Sequence, residues 1–380
     1  MKKVCFLITV VLFFACGSSD SAGVPSENCQ IDKSDILDVP NLGFDTKYRH
    51  TQYLEVNGQA LLFAYSQKFS RIDVLNLKNG EHQPSITLAQ EGPEAVGDIS
   101  SFHVISLDSI AILTFQDFLF VNNEGKVLDR MKINGSNADF TGLDFKKHFL
   151  YNSLMNTSPI LPMAGGRWAV AVRRIDASRD MPAFYTGTKM VLLDPRTKTI
   201  QETGIEFPEE FRSANYPVTS LLACRDRDGI TFAFGSAMGL YHYQEASGQI
   251  STVKLVGDTY EKGMDTFVGD VYDTKSLNSY VSENSQMVSL LFNPYLGHYY
   301  RFNYGPYPFE ITGNEGKLGY LYLTILDANF RILAQECLLW DFQYYGAAPT
   351  PNGLFIYTSN DEEDLSRFTY SMVRCDFKLL

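Results

Sequence analysis

Residues 49–66 read RHTQYLEVNGQALLFAYS, and the order of polar and apolar positions in this stretch decides the fold class. Polar and apolar side chains are mixed before Asn57-Gly58, and a continuous apolar run, Ala60 to Tyr65, follows it. That dipeptide suits a two-residue hairpin turn, because both central positions take positive φ there. The stretch therefore predicts two antiparallel strands. A helix would instead repeat its apolar positions every three or four residues. Asn79-Gly80, within RIDVLNLKNGEHQPSITL at 71–88, predicts a second hairpin of the same kind.

Working outward, one unit recurs in altered form. It is a strand ending in a polar or aromatic pair, then a short turn of Gly, Asn or Asp, then a strand carrying Ile, Val or Leu. The instances are LNLKNGEHQPSI (75–86), FVNNEGKVL (120–128), LLDPRTKTI (192–200), YHYQEASGQI (241–250) and ILDANFRIL (325–333). Each reads as the hairpin between the third and fourth strands of a propeller blade. The apolar runs LLFAYS (61–66), AILTF (111–115), WAVAV (168–172) and TFAFG (231–235) suit inner strands. Repeats of roughly 40–50 residues with four strands each are the mark of a propeller. Spacing between the units is uneven, which implies long loops between some blades. A sandwich or barrel needs fewer strands, and a solenoid keeps a stricter period.

The expectation is thus an all-β, six-bladed β-propeller of four-stranded antiparallel blades, with seven blades the alternative. GAAPTPNGLFIYTS (346–359) and RFTYSMVRCDF (367–377) supply the sixth blade, completed by DILDVP (35–40). Pairing the N- and C-terminal strands closes the ring and removes the exposed edges of an open sheet.

Composition agrees. Of 380 residues, 27 are Phe and 22 Tyr, and charged residues are only 20%. Aromatic and β-branched excess favours strands. The net charge of −12 argues against nucleic acid, which requires basic patches.

The first residues speak to location. Lys2 and Lys3 precede an apolar run from Val4 to Ala15, too short to span a bilayer that needs roughly 20 residues. This is the pattern of a secretory signal. Small Ala15 before Cys16 resembles the bacterial lipobox, in which the cysteine thiol is acylated; Phe13 and Phe14 depart from its tight pattern. Removing residues 1–15 takes away two lysines and no acids, so the mature charge becomes −14. GSSDSAGVPSE (17–27) reads as a flexible tether. The expected organisation is a lipoprotein signal peptide over 1–15, a tether over 16–30 and a single propeller domain over 31–380. Lipidation at Cys16 would make the chain an outer-membrane lipoprotein, on the periplasmic or cell-surface side. Cys29, Cys224, Cys337 and Cys375 remain. They are far apart, without metal spacing, and allow three full disulfide pairings or buried free thiols.

A lipobox-bearing chain with RHTQYLEVNG near its start, LLFNPYLGHYYRF at 290–302, ILDANFRILAQECLL at 325–339 and PTPNGLFIY at 349–357 resembles a known family. These are the uncharacterised six-bladed, TolB-like propeller lipoproteins of Gram-negative gut anaerobes. The resemblance covers nearly the whole mature chain and implies the fold and a cell-envelope location. It transfers no activity to any residue.

Signatures of catalysis are missing. There is no G-x-S-x-G, H-E-x-x-H, Walker or dinucleotide motif, and GSAMG (235–239) misplaces its serine. No cofactor is implied. Asp226 and Asp228 beside Gly229 fit a hairpin turn better than a calcium loop, which needs more oxygen ligands. Asp361, Glu362, Glu363 and Asp364 read as a solvated acidic loop, and the six histidines are scattered, so no metal is expected. The most suggestive stretch is NPYLGHYYRFNYGPYPFE (293–310), with Tyr295, His298, Tyr299, Tyr300, Arg301, Tyr304 and Tyr307. Tyr and Arg dominate binding hot spots, although such rings also pack between blades. Tyr304, Tyr307, Arg301 and His298 are the candidate ligand-binding residues. The functional expectation is an envelope lipoprotein whose scaffold binds a protein or glycan partner, with no catalysis evident. The alternative is a polysaccharide-active hydrolase or lyase with its site in the central channel.

Overall fold

The computed structural model describes residues 29–40, 48, 50–151, 160–212, 216, 218–237, 239–255, 266–270, 273–305, 320–338, 342–358 and 367–377. Cys16, Tyr307 and the acidic loop at 361–364 lie outside them.

The chain enters through β1 (Cys29–Pro40) and then lays down sheets in sequence order. The first sheet holds β2 (Thr51–Val56), β3 (Gln59–Ser66), β4 (Arg71–Asn76) and β5 (His82–Thr87). The second holds β6 (Ile99–Ser106), β7 (Ser109–Thr114), β8 (Asp117–Val121) and β9 (Val127–Lys132). In the third, β10 (His148–Leu150) and β11 (Leu161–Pro162) precede β12 (Trp168–Arg174), β13 (Met190–Asp194) and β14 (Thr199–Glu202). The fourth comprises β15 (Leu221–Arg225), β16 (Gly229–Phe234), β17 (Leu240–Gln244) and β18 (Ile250–Val253). A helix, α1 (Thr274–Glu283), leads to the fifth: β19 (Gln286–Asn293), β20 (His298–Gly305), β21 (Tyr320–Leu326) and β22 (Ile332–Leu338). Last come β23 (Phe342–Thr350), β24 (Gly353–Thr358) and β25 (Arg367–Phe377), with β1 added beside β25. Cys29 stands opposite Phe377 and Pro40 opposite Arg367, so the two ends of the chain share one sheet.

Core packing explains why the second strands are so apolar. Successive side chains of a strand point to opposite faces. In β7, Ile110 and Ile112 enter the core shared with the first sheet, while Ala111 and Leu113 enter the core shared with the third. In β12, Val170 and Val172 face back and Ala169 and Ala171 face forward. In β24, Leu354 and Ile356 meet the fifth sheet, whereas Phe355 joins Leu62 and Leu75 of the first. Each of these second strands is covered on both sides by a neighbouring sheet, and the last sheet packs on the first. Burying each such Leu, Ile or Phe contributes roughly 1.5–3 kcal/mol. The result is all-β, mainly antiparallel four-stranded sheets in a propeller arrangement.

Polar staples fix neighbouring sheets in register. The Gln52 amide donates to the Val104 carbonyl at 2.9 Å and accepts from the Val104 amide at 2.7 Å. Asn293 Nδ2 donates to the Thr350 carbonyl at 2.8 Å. Tyr299 Oη donates to Asp226 Oδ2 at 3.2 Å, across 73 residues of sequence.

The recurrent hairpins predicted from sequence are the links β4–β5, β8–β9, β13–β14, β17–β18 and β21–β22, each third strand to fourth. Two expectations are corrected. Among the described residues, regular four-stranded blades number five, not six or seven. The third sheet departs because β10 and β11 are separate short pieces, pairing with Val172–Arg174 and Trp168–Ala169 of the same neighbour, β12. The apolar runs such as WAVAV, expected as inner strands, form the second strands of their sheets. Asn57 and Gly58 take φ of 51° and 74° as a two-residue turn requires, but at Asn79-Gly80 only Gly80 does, at 73°. There Asn76 closes a longer loop, its side-chain oxygen accepting from the Lys78 amide at 2.9 Å. Finally, α1 was not foreseen; Asp273 caps it by accepting from the Lys275 amide at 3.1 Å.

Candidate functional site

A pocket of about 210 Å³ opens where the end of β12 and the start of β13 approach the segment entering β15. Four cationic side chains line it: Arg173, Arg174, Arg179 and Lys189. Phe184, Phe207 and Tyr151 give it aromatic walls, and Thr219 and Ser220 contribute hydroxyls. None of its lining residues is Asp or Glu.

Local chain geometry builds this arrangement. Strand alternation runs out at Arg173-Arg174, where β12 leaves the core. A short 3-10 turn, Pro182–Tyr185, then aims backbone carbonyls inward before β13 begins. Lys189 sits just ahead of β13 and is only 5% exposed. Its ammonium donates to the Phe184 carbonyl at 2.9 Å and the Thr186 carbonyl at 3.1 Å. The same ammonium lies 4.8 Å from the Phe207 ring centroid and 5.7 Å from that of Phe184. Ring faces attract cations through their quadrupole. Phe207 is itself braced, stacked on Phe211 at 5.2 Å and packed on Phe234 at 4.7 Å.

Arg174 holds the rim together. Its Nε donates to Asp176 Oδ1 at 2.6 Å, Nη2 to Oδ2 at 3.1 Å, and Nη1 to Thr186 Oγ1 at 2.8 Å. That pairing raises the guanidinium pKa and lowers that of Asp176. Burial drives Lys189 the other way, down to about 8, with the Arg174 charge adding to the effect. Arg173 is exposed. Such a site can neutralise a negative group and pack an apolar ring; it holds no carboxylate for acid–base work on its walls.

Of the candidate binding residues, His298, Arg301 and Tyr304 lie on the fifth sheet, away from these walls, and Tyr307 lies outside the described residues. His298 opens β20, half-buried, its pKa lowered by burial. Arg301 sits mid-strand and is fully buried. Its Nη2 donates to Thr324 Oγ1 at 3.4 Å, which also accepts from Gln335 Nε2 at 3.1 Å. Tyr304 packs edge-on against Tyr344 at 5.7 Å, and burial raises its pKa. Tyr295, at the β19–β20 turn, remains 48% exposed and meets Tyr53 edge-on at 5.7 Å.

Asp226 forms a hairpin turn, accepting from the Asp228 amide at 3.0 Å and the Gly229 amide at 2.8 Å. Among the described residues, no three His, Cys, Asp or Glu side chains gather as a metal site. Cys224 is a buried free thiol, its pKa raised by burial. The pocket was missed because its residues come from separate segments. The one visible sign was two arginines ending an apolar strand in WAVAVRRI.

Comparison with known proteins bears on the fold and the family. A family model described as a domain of unknown function (DUF4221) matches residues 38–336. A solved structure of a DUF4221 family member from Bacteroides vulgatus superposes with a TM-score of 0.73 at 14% identity, covering 92% of this chain and 98% of that one. A protein from Bacteroides fragilis described as exported superposes with a TM-score of 0.52 at 13% identity, covering 91% and 95%. No curated protein matches the chain.

Proposed function

This chain belongs to the DUF4221 family, and we propose that it is a cell-envelope lipoprotein whose propeller binds a protein or glycan partner without transforming it. Lys2, Lys3, the short apolar run to Ala15 and Cys16 support export and lipid anchoring at the outer membrane. Acyl chains add about 0.8 kcal/mol per buried methylene, so a multiply acylated cysteine holds stably. The Bacteroides fragilis relative described as exported is consistent with that location. We read the ring as TolB-like.

The observation that carries the binding role is the composition of the pocket: cations and aromatic rings, with no acid on its walls. Hydrolysis of glycosides uses two facing carboxylates roughly 5–10 Å apart, and this pocket lacks them. Detergent-extracted full-length protein, applied to immobilised glycans and then incubated with the ones it retains, tests the reading. Retention without new reducing ends or unsaturated products is the expected result. Product formation would instead establish the hydrolase or lyase alternative. Anchoring is tested separately: Cys16→Ser should move the protein from the membrane to the soluble fraction.

A further inference from the structure

Building on the reading that the propeller binds a partner, we propose that the pocket between the third and fourth sheets takes an acidic sugar unit, with its carboxylate or sulfate against Lys189 and Arg173 and its ring against Phe207. Lys189 is 5% exposed, and its ammonium has three N–H donors, of which two are committed to carbonyls. No carboxylate lies within ion-pair distance of it among the described residues. A buried cation without a counter-ion is costly, and an incoming anion relieves that cost.

The other charges around Lys189 reinforce the point. Arg174 repels it, Glu206 attracts it, and Glu206 is already bonded to Arg212 Nη2 at 2.9 Å. Asp176 is engaged bidentately by Arg174. Asp180 is bonded by Ser178. Arg173 and Arg179 add two further positive charges to the lining. A chain of net charge −12 therefore gathers four cations about one small cavity whose lining residues include no acid.

Size and shape select the rest of the ligand. Pockets for drug-sized molecules run to roughly 300–1,000 Å³, so about 210 Å³ suits a single ring. Phe207, Phe184, Ala171, Val172 and Leu221 offer apolar surface for the C–H face of that ring. The hydroxyls of Thr219, Ser220 and Tyr151 can bond its hydroxyl groups. The lowered pKa of Lys189 adds a consequence: an anion beside it restores the charged form, so binding near pH 8–9 takes up protons.

Calorimetric titration of the full chain with glucuronate, galacturonate and glucose 6-sulfate tests this, with glucose and inorganic sulfate as controls. The acidic sugars should bind at least tenfold more tightly than either control. At pH 8.5, two buffers of different ionisation enthalpy should reveal proton uptake. Arg173→Ala, at an exposed position, should weaken binding severalfold with thermal unfolding unchanged, and Lys189→Met should abolish both binding and proton uptake. Glucose binding as tightly as glucuronate overturns the acidic-sugar assignment while leaving glycan binding in place. Sulfate binding as tightly as the sugars overturns it too, as does indifference to Arg173→Ala. Failure of every sugar overturns the assignment alone; the parent reading fails only if immobilised glycans and envelope proteins are also not retained.

Discussion

Lys189 places its ammonium 4.8 Å from the centre of the Phe207 ring while bonding the Phe184 carbonyl at 2.9 Å. The pair joins the start of β13 to the segment after β14, and makes a buried positive charge the floor of the pocket.

That burial makes stability depend on pH in a defined window. Lys189 has a folded pKa of about 8, below its unfolded value of 10.5. Between these values the unfolded chain binds more protons than the folded one, so stability rises with pH. The penalty is complete below pH 8 and vanishes above 10.5. Its full size is on the order of 3 kcal/mol. Because tyrosines titrate nearby, the measurement is the difference between wild type and Lys189→Met in urea unfolding. Wild type should gain on the variant from pH 8 to 10.

At the boundary of the fourth and fifth sheets, Asp226 gathers the Gly229 amide at 2.8 Å, Thr231 Oγ1 at 2.5 Å and Tyr299 Oη at 3.2 Å. Tyr299→Phe removes one donor and should cost about 1 kcal/mol. Asp226→Ala leaves several buried donors unpaired and should cost about 3 kcal/mol. Because the carboxylate serves as a turn cap, adding calcium or EDTA should leave the wild-type Tm unchanged.

Two glycines of similar φ should respond unequally to alanine. Gly58, at φ 74°, faces open space, and Gly58→Ala should cost about 1 kcal/mol for its left-handed backbone alone. At Gly125, φ 78°, an added Cβ would lie 2.0 Å from the Thr87 carbonyl oxygen. Gly125→Ala must therefore shift the β8–β9 turn away from the end of β5, and should cost several times more. Chemical denaturation of the two variants compares them.

The pairing of β1 with β25 spans Cys29–Pro40 and Arg367–Phe377. Deleting residues 29–40 would leave β25 as an unpaired edge, a template for association. The truncated protein should elute as larger species in gel filtration and unfold at lower urea than the full chain.

The hairpins were legible in sequence because turns obey local chemistry. Asn57-Gly58 sits where positive φ is demanded, and Asp194 and Asp327 accept from the Arg196 and Asn329 amides at 2.9 and 2.8 Å, within their own turns. What depends on distant residues was not legible. Asn79-Gly80 yielded to a loop closed by Asn76, and the two short pieces β10 and β11 show only in their pairing with β12. Arg301 looked like a surface anchor beside tyrosines, yet it stands mid-strand on a face covered by another sheet. The pocket joins Arg173, Lys189, Phe207 and Ser220, which share no motif and meet only through folding.

The most direct measurement is a crystal structure of the protein soaked in galacturonate at pH 7. The expected density places the carboxylate within hydrogen-bond distance of Lys189 Nζ and the Arg173 guanidinium, with the sugar ring lying on Phe207. Sugar density elsewhere on the molecule, with Lys189 and Phe207 untouched, would contradict it.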